Sequence, residues 1–295
     1  KKYDSGEILA LTFTEKAADE MSQRVLDMNH TFSAKTFHSF ALEIIDEYIF
    51  ELEGLDEDYR VLNDANQLFY FMENFDSFRF ASHNGSSGQG KIVFEIKNTI
   101  ARLKDNGVDL KKLQSIDFED VNTKMDIFGV YSKYEKYKID NNFMDFGDIM
   151  LNLLKLLDNP RICEEIQKRY KYVLVDEFQD TNRVQLEVLK RIASNNITVV
   201  GDLKQSIYSF RGANYSNLVL FKEHFINYKE IFLNMNYRFS TEITNVVNKR
   251  IVHMGHTDNE ILEKVSKEKG EFRGYLCDSE NSQETCIIEK ITEIR

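Results

Sequence analysis

The stretch KRYKYVLVDEFQDTNRVQ, residues 168–185, places a short apolar run directly before a group of acids and amides. A continuous apolar run such as YVLV at 172–175 predicts a parallel strand that is buried on both faces of a sheet. In an open α/β sheet, the ligand binds beyond the carboxyl ends of such strands. We therefore expect the side chains that follow the run to lie at a site. They are Asp176, Glu177, Gln179 and Asp180.

Two other segments repeat this order of apolar strand, polar turn and helix. They are ILALTFT at 8–14 and ITVVGD at 197–202. Strands that alternate with helices predict parallel βαβ units, and therefore an α/β fold with a parallel sheet. In the helix after 172–175, the apolar residues recur mostly on one side, which we expect to be buried. These residues are Val184, Leu186, Val188, Leu189 and Ile192.

The pattern divides the chain into four segments. Residues 1–50 and 141–230 carry the strands and are expected to form one sheet domain. Residues 51–140 show helical periodicity without an apolar strand, which predicts a helical insertion. Residues 231–295 are expected to begin a second α/β domain, with a strand shortly before a C-terminal helix.

Composition excludes several classes of protein. The chain has 295 residues, 42% of them apolar, and a formal net charge of −11. An acidic chain is not expected to hold nucleic acid by a general basic surface, because Lys and Arg dominate phosphate binding. A narrow groove with aromatic stacking remains compatible with this charge.

The sequence shows neither a membrane span nor a signal peptide, so we expect a soluble cytoplasmic protein. The three cysteines, Cys163, Cys277 and Cys286, lie far apart and lack metal-ligand spacing. We expect them to be ordinary thiols.

Acids at a strand tip can form a magnesium site with a general base, a structural cap or a solvated turn. A second polar group follows the strand at 197–202 and contains Asp202, Gln205 and Arg211. The carboxyl ends of neighbouring parallel strands meet at one sheet edge, so the second group favours a site.

Six blocks between residues 8 and 240 resemble, in order, the motifs of the UvrD/Rep-type superfamily 1 DNA helicases. They are TFTEKAADEMSQR (motif Ia), TFHSFAL (Ib), MDFGDIM (DFDDLL-type), VLVDEFQDT (II), GDLKQSIYSFRGA (III) and LNMNYR (IV). The resemblance implies a RecA-like P-loop NTPase sheet with a helical insertion. It also implies an ATP- and Mg²⁺-dependent 3′-to-5′ translocase on single-stranded and duplex DNA. Lys204 and TFHSFAL are most similar to the AddA/RecB branch, which implies a helicase–nuclease subunit of DNA repair and recombination with a partner subunit.

The resemblance assigns roles at a nucleotide. Asp176 would hold Mg²⁺, and Glu177 would orient or deprotonate the attacking water. Gln205 and Arg238 would contact the γ-phosphate, and Tyr237 would stack on adenine. Without the resemblance, Gln205 reads as a helix-start amide, Tyr237 as a core aromatic residue and Arg238 as a surface ion-pair residue.

The resemblance places single-stranded DNA on the opposite face of the same loops. The expected contacts are base stacking by Phe13, Tyr208 and Phe210, backbone binding by Thr36 and His38, and a phosphate contact or loop brace by Arg211. A lone histidine is more often structural, so the role of His38 depends on the motif. The family usually has Asn at the position of Glu15, and a carboxylate there would repel phosphate, which argues against a DNA contact by Glu15.

Some parts of the family pattern are absent from the sequence. No GxxxxGK[ST] loop precedes ILALTFT, and GQGK at 88–91 reads as a loop without a preceding strand. Motifs V and VI are absent as well. We therefore expect part of a longer helicase, starting after the nucleotide loop and ending early in the second domain, which alone hydrolyses ATP negligibly.

Two other functions stay open. One is a non-catalytic DNA-binding or partner-binding module that retains the motifs. The other is a two-metal phosphatase or nuclease, which would need further carboxylates at the neighbouring strand tips.

Overall fold

The computed structural model divides into two compact units, Lys1–Asn227 and Tyr228–Arg295, and each is described by itself. Among the described residues, no helix is both long and apolar enough to cross a membrane. The described residues are 3–28, 32, 34–78, 80, 88–193, 196–205, 217–253, 261–266, 269–271 and 273–294.

The strands are short and alternate with longer helices. The strands are β1 (Ile8–Thr12), β2 (Ala34–Thr36), β3 (Arg60–Leu62), β4 (Phe143–Asp145), β5 (Tyr172–Val175), β6 (Ile197–Val199), β7 (Met235–Asn236) and β8 (Glu263–Lys264). The helices are α1 (Glu15–Asp27), α2 (Phe37–Glu47), α3 (Asp64–Glu73), α4 (Gln89–Asp105), α5 (Leu110–Ser115), α6 (Val121–Asp140), α7 (Phe146–Leu157), α8 (Pro160–Arg169), α9 (Arg183–Ile192), α10 (Asn217–His224), α11 (Thr241–His253) and α12 (Glu280–Ile294).

A four-stranded parallel sheet in the order β2-β1-β5-β6 forms the centre of the first unit as described. The chain leaves these strands through capping residues. Thr14 accepts a hydrogen bond from the Ala17 N–H at the start of α1, and Thr36 accepts one from the Ser39 N–H at the start of α2. Such caps satisfy backbone donors that a helix leaves open at its first turn. The predicted parallel α/β arrangement is confirmed.

One face of the sheet is more deeply buried than the other. Val173 and Val175 of β5 lie in a large apolar core with α2, α7, α8 and α9. All five apolar residues predicted to face inward from α9 are buried. On the opposite face, Tyr172 and Leu174 are only half-buried. The prediction of burial on both faces is therefore wrong for that side, where Leu174 packs on a small cluster built from alanines of β1, α1 and β2.

Helices α3 to α6 enclose a second apolar core rich in aromatic residues, including Phe71, Tyr131 and Tyr134. Strand β3 lies within 51–140 and pairs in parallel with β4. Only Leu62 of β3 is buried, so this strand contains no apolar run by which the sequence could have indicated it. One expectation for this region is wrong: residues 89–91 of GQGK belong to α4, which begins at Gln89, and not to a loop. The four-segment domain division itself stays a prediction.

In the second unit, β7 pairs in parallel with β8, and α11 and α12 follow the predicted helical segments. The strand expected shortly before the last helix is not found in the described residues between 269 and 279. Leu276 there is 99% exposed. Without an apolar surface to cover it, the segment lacks the packing that stabilises a strand.

Two buried lysines join the aromatic core to β4 and α7. The ammonium of Lys104 lies 2.6 Å from both Asp145 and Asp148, and 2.9 Å from Glu135. The ammonium of Lys138 binds the same three acids, with Glu135 at 2.7 Å. Burial acts to lower the pKa of Lys104, but the three carboxylates outweigh it and raise that pKa well above its ordinary value. Lys104 is therefore charged at neutral pH.

Gly147 allows α7 to approach Lys104. A Cβ atom at this glycine would lie 2.6 Å from Lys104 Cδ and 2.8 Å from Lys104 Cβ. These distances are too short for any side chain, so the close packing of α4 on α7 requires glycine.

We expect Lys104→Met to lower the free energy of unfolding by about 3–5 kcal/mol, because it leaves Lys138 as the one lysine among the described residues that balances three carboxylates. Urea unfolding followed by circular dichroism measures this change. Lys136→Met is the matched control, since Lys136 is exposed and, among the described residues, pairs with Asp140 alone, one turn away; its effect should stay within about 0.5 kcal/mol. Equal stability of the two variants would show that the network contributes nothing.

Candidate functional site

The residues after β5 and β6 meet at the carboxyl edge of the sheet. The Asp176 N–H donates to the Leu11 carbonyl at 2.9 Å, and the Phe178 N–H donates to the Val200 carbonyl at 2.9 Å. These bonds continue the strand pairings beyond the strand ends. The first holds the acids beside the end of β1, and the second holds them beside the segment that leads into Gly201.

Gln179 links the two loops through its side chain, which is 5% exposed. Its Nε2 donates to Glu177 Oε2 at 2.7 Å, and its Oε1 accepts from the Asp202 N–H at 2.9 Å. The sequence placed Gln179 among the polar residues of the site but did not predict this link, because the partner loop lies more than twenty residues later.

Gly201 makes this link possible. A Cβ atom at Gly201 would lie 2.8 Å from Gln179 Oε1 and 3.2 Å from the Gln179 backbone nitrogen. The amide of Gln179 occupies the space that any other side chain would need.

Glu177 has a left-handed backbone conformation with φ of 50°. Among the described non-glycine residues, only Asn142 shares a positive φ, and Asn adopts this conformation more readily than Glu. Left-handed backbone at such a residue costs of order 1–3 kcal/mol and is concentrated at functional sites. The conformation turns the Glu177 side chain toward Gln179, with which it is bonded.

The loop after β6 is held by Asp202. Its Oδ2 accepts from Gln205 Nε2 at 3.0 Å, and its Oδ1 accepts from the Lys204 N–H at 3.0 Å. The Lys204 ammonium lies 3.1 Å from the same carboxylate. Burial acts to raise the pKa of Asp202, but the bonds from Gln205 and Lys204 lower it below its ordinary value. Gln205 therefore contacts Asp202 here, and its predicted phosphate contact stays a prediction.

The donor set at the sheet edge fits a hard divalent cation. Asp176 and Glu177 offer carboxylate oxygens, which Mg²⁺ prefers. Asp180 Oδ1 is buried without a hydrogen-bond partner in the described part of the chain. Burial, followed by the charge of Glu177, raises the pKa of Asp180. An additional positive charge at this edge would give the Asp180 oxygen an electrostatic partner and would lower the pKa of that carboxyl group.

A second group of acids is not a metal site. Ligand atoms of Glu135, Asp145 and Asp148 lie within 4.8 Å of one another. Both ammonium groups of the buried network already bind these oxygens, as described above. Their charge neutralises most of the cluster, so a cation would have to displace a lysine.

Tyr237 and Arg238 lie in the second unit, in the turn between β7 and α11. Asn236 holds this turn, since its Oδ1 accepts from the N–H groups of Arg238 and Phe239 at 2.9 and 3.1 Å. Tyr237 is 70% exposed and is therefore not a core aromatic residue. Arg238 is exposed and forms no ion pair with the residues that the structure describes. Both side chains are available for a ligand.

The residues expected on DNA are partly described. Phe13 follows β1 and is half-buried, and Thr36 is buried at the start of α2. The His38 ring packs edge-to-face on Phe146 with 5.6 Å between ring centroids. Burial lowers the pKa of His38, although a backbone bond at Phe146 opposes this effect. His38 is thus neutral at pH 7. The predicted contacts Tyr208, Phe210 and Arg211 lie outside the described residues.

A half-buried carboxyl group connects α4 to the segment after the acids. Asn182 caps α9 together with Gln185 and also donates from Nδ2 to Asp105 Oδ1 at 2.8 Å. Burial raises the pKa of Asp105 to about 6. The end of α4 is therefore bonded to the helix that follows Glu177 and Gln179.

Comparison with known proteins identifies the family that carries this arrangement. The model of the UvrD/REP helicase N-terminal domain matches residues 1–226. The chain belongs to the UvrD/REP helicase family. A probable DNA helicase II homolog of Rickettsia felis is 34% identical over 88% of this chain and 40% of its own length. The ATP-dependent DNA helicase PcrA of Bacillus subtilis is 29% identical over 97% of this chain and 39% of its own length.

Another UvrD/REP-family relative is the ATP-dependent DNA helicase Rep of Buchnera aphidicola subsp. Baizongia pistaciae, with 33% identity over 88% of this chain and 38% of its own. The chain thus spans about 40% of the length of these curated relatives. The predicted fold class, an α/β RecA-like sheet with many helices, is confirmed by the family and by the observed parallel sheet.

We expect Gly201→Ala to lower the free energy of unfolding by about 1–3 kcal/mol, because the new Cβ must displace Gln179. Chemical denaturation measures this loss. Gly129→Ala is the control, since a Cβ there meets nothing within 4 Å on α6. In a helix, that substitution should stabilise by up to about 1 kcal/mol. The same sign for both variants would contradict the close approach at Gly201.

We expect Asp105→Asn to stabilise the protein more at pH 8 than at low pH. The pKa of Asp105 is about 6 in the folded protein and near its ordinary value when unfolded, so its contribution is present below about pH 4 and lost as pH rises through 6. Asparagine cannot ionise and keeps an acceptor for Asn182. The gain over wild type should reach roughly 1–3 kcal/mol at pH 8.

Urea unfolding at about pH 4 and pH 8 measures both values. The exposed Asp140→Asn is the control. A gain for Asp105→Asn that is the same at both pH values would show that burial does not disfavour its charged form.

Proposed function

We propose that this chain is part of the motor of an ATP-dependent DNA helicase that moves 3′-to-5′ along one strand. Family membership and the names of the relatives, ATP-dependent DNA helicases Rep and PcrA, support it. The observation that carries it is the Gln179 link between Glu177 and Asp202. A structural strand cap would not need a strained acid that is linked through Gln179 to the neighbouring loop.

In this proposal the two acids have separate tasks. Asp176 holds Mg²⁺, which when bound neutralises phosphate charge. Glu177 orients the attacking water or accepts its proton, and Gln179 fixes the direction of the carboxylate. A base that is held in place needs less reorganisation during reaction.

The same link provides a route from nucleotide to DNA. Gln179 bonds the Asp202 N–H, and the Asp202 carboxylate bonds Gln205. Gln205 would exchange Asp202 for the γ-phosphate when nucleotide binds. Tyr208 and Phe210 follow Gln205 in the sequence, and we propose that they stack on bases. Arg211 would contact phosphate or brace the segment.

The remaining assignments complete the proposal. Tyr237 and Arg238 would contact adenine and γ-phosphate, and their exposure supports this. Phe13, Thr36 and His38 would contact the DNA strand. Three further points stay predictions from the sequence. They are the division into two RecA-like domains with an insertion, a cytoplasmic location, and an AddA/RecB-type helicase–nuclease role in repair and recombination with a partner subunit.

A two-metal phosphatase or nuclease is less well supported. It would need carboxylates free to bind a second metal at the neighbouring strand tip. The carboxylate at that tip, Asp202, is instead bonded to Lys204 and Gln205.

We expect Glu177→Gln, in the complete protein, to lower DNA-stimulated ATP hydrolysis by about 10²–10⁴-fold, because it removes the base and keeps the size of the side chain. Metal-dependent ATP affinity should change little. Asp176→Asn should instead weaken binding of Mg²⁺-ATP. Phosphate release and titration with a fluorescent ATP analogue, each with and without Mg²⁺, separate the two effects.

Hydrolysis by Glu177→Gln within a few fold of wild type would remove the catalytic role. If wild type also fails to hydrolyse ATP but still binds single-stranded DNA, the chain belongs to a non-catalytic DNA-binding module.

A further inference from the structure

Glu15 joins the first turn of α1 to the first turn of α2. Its Oε1 accepts a hydrogen bond from Thr36 Oγ1 at 2.9 Å and another from Ser39 Oγ at 2.7 Å. Thr36 is buried, whereas Glu15 is exposed at the surface. One carboxylate oxygen therefore receives the hydroxyl protons of two residues of the TFHSFAL block.

These bonds compete directly with a phosphate. A hydroxyl has one proton to donate, and phosphodiester oxygens only accept hydrogen bonds. Thr36 Oγ1 also accepts the Ser39 N–H at 3.1 Å as the cap of α2, so its proton is what it can offer a ligand. While both protons are directed to Glu15, neither Thr36 nor Ser39 can donate to DNA.

The charge of Glu15 acts in the same direction. A phosphate bound by these hydroxyls would lie near a carboxylate of the same sign. Lys35 is paired with Glu43, and His38 is neutral, so neither of these neighbours offsets that charge. Repulsion between like charges is strongest at low salt, because added salt screens it.

We infer that Glu15 is a specificity-determining residue that opposes the backbone phosphate of single-stranded DNA at Thr36 and Ser39. It withholds their hydroxyl protons and repels the phosphate, so the strand is held less tightly at this point and is released more easily. The inference rests on the proposed function, since it requires that the first turn of α2 binds DNA.

The test measures binding of the complete protein, without nucleotide, to a fluorescent oligothymidylate by anisotropy. Glu15→Gln and Glu15→Ala should each bind about 3- to 10-fold more tightly than wild type at about 50 mM salt, because each removes one exposed like charge. Glu15→Ala should gain more, because the amide oxygen of Gln can still accept the two hydroxyl protons. The gain should shrink toward unity at about 500 mM salt. Glu20→Gln is the control, because Glu20 is exposed on the same helix and loses the same charge.

A second substitution tests the hydroxyl part of the inference. In a Ser39→Ala background, Glu15→Ala should give a smaller gain, because one of the two hydroxyl protons is no longer there to release. If Glu15 merely ordered Thr36 and Ser39 for DNA, both Glu15 variants would bind more weakly at every salt concentration.

The outcomes separate the inference from the proposed function. Tighter binding by both Glu15 variants, but not by Glu20→Gln, supports the inference. If wild type binds the oligonucleotide and Glu15→Gln binds it equally well or more weakly, the inference about Glu15 is wrong. The helicase proposal is unaffected by that result. Failure of wild type and every variant to bind the oligonucleotide overturns the proposed function and the inference together.

Discussion

Two buried lysines and three carboxylates constrain how the first unit is assembled. Lys104 comes from α4 and Lys138 from the end of α6, while Asp145 and Asp148 lie where β4 passes into α7. Buried charges tolerate little displacement, because separating them leaves an uncompensated charge in a low-dielectric interior. The network therefore fixes the aromatic core of α3 to α6 against the helices that cover the sheet.

Residues next to this network in sequence, in α7 and in α4, contact the candidate site. From α7, Phe146 follows Asp145 directly and packs on His38 at the start of α2. From α4, Asp105 follows Lys104 and bonds Asn182, the cap of the helix after the acids. Asp105 and Phe146 are thus adjacent in sequence to residues of the network. Asp105 contacts the helix cap behind the acids, and Phe146 contacts His38 on the proposed DNA face. A change in the packing of the helical region would therefore displace the contacts at Asn182 and at His38.

Much of the architecture was predictable because its signals are local. The apolar run at 172–175, the acids behind it and the buried side of α9 are each set by residues within one turn or strand of each other. The meeting of the acids with Asp202 followed from the geometry of parallel sheets. The same reasoning overlooked β3, which has a single buried residue, and it expected a strand before α12 where Leu276 is exposed.

By itself the sequence determined the strand–helix order, the parallel sheet, the candidate acids and the motif resemblance, since these depend on periodicity and on short spacings. The tertiary structure alone decided which polar groups are bonded. Gln179 to Asp202, Lys104 to Asp145 and Glu15 to Thr36 join residues that lie more than twenty positions apart. No local pattern encodes such pairs, because each forms only after packing has removed water from groups that would otherwise be solvated separately.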